Sequence, residues 1–173
     1  GMTQQSTDTS KAAKWMLILA WACLFGLLTL VFGDLLEQQA NPNQQPVSIM
    51  RGEQIEIRLE QNRQGHYVVS GSINGKPAVF LVDTGATSVS IPAHLADEFN
   101  LPRGRSGMAS TANGRVKITL TEIATLTLGG ITLQNVAANI NPGMQGEQIL
   151  LGMSALKQLE FTQRGETLIL RTL

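Results

Sequence analysis

The chain has 173 residues, 43% of them hydrophobic and 15% charged, a composition that fits one folded domain with room for extra segments. Thirteen basic residues balance thirteen acidic ones and aromatics make up only 5%, so neither a global field nor a base-stacking platform points to nucleic acid as a partner. The lone Cys23 cannot close an intrachain disulfide, and His66 and His94 have no cysteine or second histidine at ligand spacing, so no metal site and no cofactor are expected.

Gly1 ahead of Met2 reads as a scar of expression. Residues 15–33, "WMLILAWACLFGLLTLVFG", carry no charge. As a helix they span about 28 Å, close to the hydrocarbon thickness of a bilayer. A cleavable signal peptide is the competing reading, but its apolar region is shorter and ends in an A-x-A-like site. This run is longer and no such site follows it closely, so an uncleaved single-pass anchor is preferred. Lys11 and Lys14 precede the helix, and Asp34 and Glu37 follow it. The excess of cations before it places residues 1–14 in the cytoplasm and everything after residue 34 across the membrane. In a bacterium that is the inner membrane, with the remaining chain in the periplasm.

Residues 34–49 are predicted to be a flexible linker. Their stretch "QQANPNQQPVS" (38–48) is polar, broken by proline and aperiodic.

Residues 50–173 read as β throughout. "EQIEIRLE" (53–60) alternates Ile55, Ile57 and Leu59. "HYVVSGSI" and "AVFLVD" flank Asn74-Gly75, a strong tight-hairpin signal. "VKITLTEIATLTLGGITLQNVAANI" gives further strands around a turn at Gly129-Gly130, and "ETLILRTL" closes the chain with another alternating strand. Only "AHLADEF" (93–99) and "MSALKQL" (153–159) read as short helices. Many short strands with glycine turns predict an all-β fold, a small closed barrel or a sandwich.

Within this domain "FLVDTGATSVSIP" (80–92) runs from an apolar strand straight into a carboxylate, Asp83. Read alone, this is a strand ending in a turn, with Asp83 bonding nearby backbone N–H groups and Gly85 supplying positive φ. The same residues also suit a catalytic loop. Gly85 lets a backbone pass close to a ligand and can offer its N–H to a carboxylate, and Thr84 offers a hydroxyl to a partner loop. Downstream comes "ILLGMSALKQL", three apolar residues, a glycine and a short helix.

"LVDTGAT" followed by "ILLG" and a helix resembles the retropepsin-type aspartic proteases, most closely their bacterial, membrane-anchored relatives. The resemblance covers residues 50–173 and implies a small closed acid-protease barrel that cleaves peptide bonds. It implies that Asp83 is catalytic, that Thr84 braces two loops against each other, and that Gly85 and Ala86 contact substrate backbone. Ile149, Leu150, Leu151 and Gly152 match the segment that packs beneath the catalytic loop. A hairpin flap is expected in "GMASTANGRVKI" (107–118), with its tip at Thr111, Ala112, Asn113 and Gly114.

The aspartic-protease dyad, two carboxylates sharing one proton, is established for the class. This chain has one Asp-Thr-Gly and no internal repeat, so the resemblance implies a two-fold homodimer with one Asp83 from each protomer. The expected partner is a peptide or protein substrate held extended in the cleft. Two alternatives stay open: a catalytically silent barrel that binds a periplasmic peptide, and an enzyme of other chemistry. The second is set aside because neither histidine comes with a nucleophile motif.

Overall fold

A computed structural model describes residues 5–173; Gly1 and the rest of the first four residues of the 1–14 segment lie outside the described residues. Two units are distinguished, residues 1–38 and residues 39–173.

The described part of the first unit lies in one helix, α1 (Gln5–Ala40). Its apolar stretch, searched among the described residues, is long enough to cross a membrane, at a mean hydropathy of 2.4. By length and composition it is a candidate membrane span, and a signal sequence near the N-terminus has the same character. The helix outlasts the apolar run, because residues 34–40 contain no breaker and Asn41-Pro42 supplies the first one.

The second unit is all-β, with eleven strands. These are β1 (Ser48–Arg51), β2 (Gln54–Glu60), β3 (Val68–Ile73), β4 (Lys76–Val82), β5 (Val89–Pro92) and β6 (Ser106–Thr111). They continue with β7 (Gly114–Leu128), β8 (Ile131–Asn141), β9 (Gln148–Leu151), β10 (Leu159–Arg164) and β11 (Thr167–Thr172). A 3₁₀ turn covers Ala93–Phe99, and the single-turn helix α2 covers Met153–Leu156.

Seven strands form a sheet in the order β3-β4-β9-β5-β8-β7-β6. It closes on itself through β3 and β7, where Ser72 pairs with Thr127 and Ile73 with Leu126. The result is a six-stranded barrel with β6 attached to β7 as a projecting hairpin arm. The β3–β4 turn forms where the sequence predicts it: Asn74 and Gly75 both take positive φ, 50° and 80°, as a two-residue hairpin of this hand requires. The Asn74 side chain then ties that turn to the barrel, donating to the Phe99 carbonyl and accepting from the Thr125 N–H.

The other four strands form a sheet in the order β1-β2-β11-β10. Alternation decides its two faces. Ile57 and Leu59 of β2 join Leu168 and Leu170 of β11 in one core with Val69, Phe80, Leu126 and Ile149 of the barrel. The opposite face carries charge.

Residues 41–48 are not a free tether. Asn41 and Asn43 are buried, and Asn43 works as a side-chain substitute for a strand. Its amide donates to the carbonyls of Glu60 and Val68 and accepts the Glu60 N–H, while its own carbonyl accepts the Ser70 N–H. Asn41 Oδ1 accepts the Asn43 N–H, and the Asn41 amide donates to Ser70 Oγ. Polar composition kept this segment out of the predicted domain. It enters because its amides satisfy backbone groups that the β2–β3 connection would otherwise leave unpaired. The predicted helix at 153–159 is shorter than expected, since Leu159 opens β10.

Candidate active site

Strand β4 is apolar because it is a barrel wall, with Phe80 wholly buried, and it ends where the wall ends. Asp83 stands one residue beyond, half-buried, followed by the exposed Thr84 and Gly85 and the half-buried Ala86. Its backbone is fixed from both sides. The Asp83 N–H donates to the Leu151 carbonyl at 3.1 Å, and the Asp83 carbonyl accepts the Ala86 N–H at 3.2 Å. The carboxylate accepts one hydrogen bond, from the Gly85 N–H to Oδ1 at 2.9 Å. No cation pairs with it among the described residues. The Thr84 hydroxyl has no partner within the described residues.

Gly85 is placed so that a Cβ would lie 3.2 Å from Asp83 Oδ1. Any larger residue would crowd the carboxylate.

Strand β9 supplies the backing. It runs parallel to β4, with Phe80 opposite Ile149, Leu81 opposite Leu150 and Val82 opposite Leu151. Ile149 and Leu151 are wholly buried, which pins this strand in the core. Then the chain must pass directly under the Asp83 loop, and only glycine fits. A Cβ on Gly152 would lie 2.3 Å from the Ser88 carbonyl oxygen and 2.8 Å from that of Ala86. Just after it, the N–H groups that open α2 bond back to the loop: Met153 to the Ala86 carbonyl at 2.8 Å, and Ser154 to that of Thr87 at 3.0 Å. The Ser154 hydroxyl accepts the Val89 N–H and donates to the Ala137 carbonyl, so a buried serine joins β5, β8 and α2.

The structure therefore brings Asp83 to Ala86 together with Ile149 to Gly152. It does not bring Thr111 to Gly114 into hydrogen-bonding contact with either group. Those four residues form the exposed tip of the β6–β7 hairpin. The Thr111 hydroxyl accepts the Asn113 N–H and donates to the Gly114 carbonyl, which makes the tip self-contained.

Sequence reasoning missed a second polar cluster, on the outer face of the four-stranded sheet. Glu56 is fully buried there, and three guanidinium groups converge on it. Arg171 donates to Oε1 at 2.6 Å, while Arg58 and Arg51 lie 3.3 and 3.4 Å from Oε2. The hydrogen bond from Arg171, aided by Arg51 and Arg58, holds the Glu56 carboxyl below the usual carboxylate range against the opposing effect of burial. The cluster also includes Glu160 and Arg164 and surrounds a small cleft. The only sequence signal was an acid inside an alternating apolar strand, which reads as a solvated position.

Comparison with known proteins agrees with this architecture. The barrel matches the crystal structure of a retropepsin-like aspartic protease from Rickettsia conorii with a TM-score of 0.58 and 23% identity, covering 74% of this chain and 94% of that one. It also aligns with the EIAV protease complexed with the inhibitor HBY-793, at a TM-score of 0.45 and 20% identity over 56% of this chain and 89% of that one. An uncharacterized protein in the cobV 5' region of Sinorhizobium sp. is 31% identical over 113 residues, 64% of this chain and 48% of its own. The chain thus spans about half the length of that curated relative.

Fold and motif together define a retropepsin-like aspartic protease class. Residues 69–158 match the family described as gag-polyprotein putative aspartyl protease, and the chain belongs to it.

Proposed function

We propose that this protein is an aspartic endopeptidase that works as a symmetric homodimer, with Asp83 of each protomer forming a shared dyad. The observation that carries the reading is the one Asp-Thr-Gly carboxylate of the chain, which among the described residues receives only one backbone N–H and no cation, on a loop anchored from below by hydrogen bonds. A structural carboxylate gathers partners; this one is held in place and left open.

In the dimer the two carboxyl groups share one proton. The ionised one takes a proton from a water lying between them, and the water oxygen adds to the scissile carbonyl carbon. The protonated one polarises the carbonyl oxygen and supplies it with a proton. Collapse of the resulting diol breaks the C–N bond, with a proton passing to the leaving nitrogen. Thr84 braces the paired loops, Gly85 and Ala86 face the substrate backbone, and the tip Thr111 to Gly114 closes over the bound peptide. Helix α1 holds the enzyme in the bacterial inner membrane with its N-terminus cytoplasmic and the barrel periplasmic, as the Lys11 and Lys14 flank favours.

The test uses full-length protein in detergent micelles with an unstructured protein as substrate. Wild-type chain cleaves it and the Asp83→Asn chain does not. Binding of peptide without cleavage by wild type would mark a silent binding module instead.

A further inference from the structure

The outer face of the four-stranded sheet holds more positive charge than its own carboxylates balance. We propose that the cleft on this face is an anion site for a phosphate group, supplied by a lipid head group or by free phosphate. The site is independent of the reading of Asp83.

The strands set its layout. Side chains two apart on a strand share a face. Strand β2 thus contributes Glu56 and Arg58, β11 contributes Ile169 and Arg171, and β10 contributes Glu160, Thr162 and Arg164. Register places them in rows across the sheet. One row reads Glu56, Arg171, Glu160, with opposite charges side by side. The next reads Arg58, Ile169, Thr162, and Arg164 stands two residues beyond Thr162 on β10. Arg51 adds a cation from β1. Four arginines therefore face two carboxylates, and the excess lies around the second row, which holds no acid.

Glu56 orients the cations without using up their donors. Arg51 and Arg58 approach it through Nε, at 3.4 and 3.3 Å, and Arg171 through Nη2 at 2.6 Å. The Nη groups of Arg51 and Arg58, and the whole guanidinium of Arg164, have no hydrogen-bond partner among the described residues. Arg171 Nε is buried and also unpaired there. Donors outnumber the acceptors that the chain supplies. Because the buried Glu56 already orders three of these side chains, a ligand meets a partly preorganised site, which lowers the cost of binding.

Size and shape select the ligand class. The cleft encloses about 210 Å³, below the roughly 300–1,000 Å³ of pockets for drug-sized molecules. A carboxylate offers two oxygens in one plane, and Glu56 already fills that role. A phosphate group directs its oxygens tetrahedrally, so it suits guanidinium forks that arrive from different strands, Arg58 from β2 and Arg164 from β10, with the Thr162 hydroxyl as a further donor. Glu160 is the one side chain that opposes an anion. It is 53% exposed, and the nearest guanidinium nitrogen of Arg171 is 3.6 Å away.

The test uses full-length protein in uncharged detergent micelles, titrated with inorganic phosphate at constant ionic strength. Binding is read from the rise in unfolding temperature and from broadening of the phosphorus NMR line. A general salt effect on stability is common to all variants, so the comparison among them isolates the site. Arg164→Gln, which removes no side-chain contact within the chain, should weaken binding about fivefold or more. Glu160→Gln should strengthen it about twofold or more, because it removes a like charge. Arg105→Gln, the same loss of charge outside the cleft, should leave binding at the wild-type value. If Glu160→Gln fails to fold, the two arginine variants decide.

The source is read in vesicles of phosphatidylcholine, alone or mixed with phosphatidylglycerol. A rise in unfolding temperature on adding phosphatidylglycerol that Arg164→Gln diminishes assigns the site to lipid head groups. No such rise, with the response in micelles intact, assigns it to free phosphate. A wild-type chain that responds neither to phosphate in micelles nor to phosphatidylglycerol would overturn the site, and so would equal responses in wild type, Arg164→Gln and Arg105→Gln.

Discussion

Asp83 and Glu56 are carboxylates of the same β domain, and their surroundings are opposite. Glu56 is fully buried and collects three arginines from β1, β2 and β11. Asp83 is half-buried, receives one backbone N–H and meets no cation among the described residues. Burial without partners would be costly for Glu56, and the arginines offset it. Asp83 sits where the cost is small and where its backbone, not its side chain, is secured. One carboxylate serves the fold; the other is presented by it.

The sharpest test of that contrast pairs two near-isosteric changes. Asp83→Asn should lower cleavage by at least about 10³-fold, because it removes the acid and base together. Its unfolding temperature should stay near wild type, since the Asn oxygen still accepts the Gly85 N–H. Glu56→Gln should do the reverse, lowering the unfolding temperature by several degrees and sparing cleavage below that temperature. Equal loss of activity in both variants would erase the distinction.

Next in size is Gly152→Ala, which moves the floor under the Asp83 loop. The overlap with the Ser88 and Ala86 carbonyls must be relieved by displacing backbone, at a cost of about 2–4 kcal/mol. Thermal unfolding and a cleavage assay on the same sample should both register it.

Asn43→Ala asks whether a fully paired neutral amide behaves like Glu56. It removes three side-chain hydrogen bonds and leaves groups of Glu60 and Val68 unpaired. The expected loss is about 2–3 kcal/mol, read by denaturant titration, with cleavage unchanged at low temperature.

The smallest effect is in pH. Glu56 has a folded-state pKa below its ordinary value of 4.5. Its contribution is complete above that ordinary value and is lost as pH falls through the folded one. The unfolding temperature of wild type should drop on acidification below about pH 4.5, and that of Glu56→Gln should drop less.

Much of the barrel was legible because its strands alternate or run apolar into the core. The Asn74-Gly75 turn, the β7–β8 pair around Gly129-Gly130 and the ordered pair of Asp83 and Gly152 motifs all appear where the residues place them. What stayed hidden has a common cause. β1 is exposed at every residue and β10 buries only Leu159, so edge strands carry no hydrophobic period. Asn43 acts through side-chain bonds that polar composition disguises as a loop. Glu56 looks solvated until Arg171, remote in sequence, is folded over it. Long-range pairing supplies these features, and a local pattern has no record of them.

The shared dyad is tested most directly by mixing. Full-length wild-type and Asp83→Asn chains are combined in micelles under conditions that exchange protomers, at constant total protein, and cleavage is followed against the wild-type fraction. If each site needs Asp83 from two chains, activity follows the square of that fraction, so an equal mixture retains about a quarter of the wild-type rate. A straight line, with half the rate retained, would mean that one chain makes a complete site and would contradict the account.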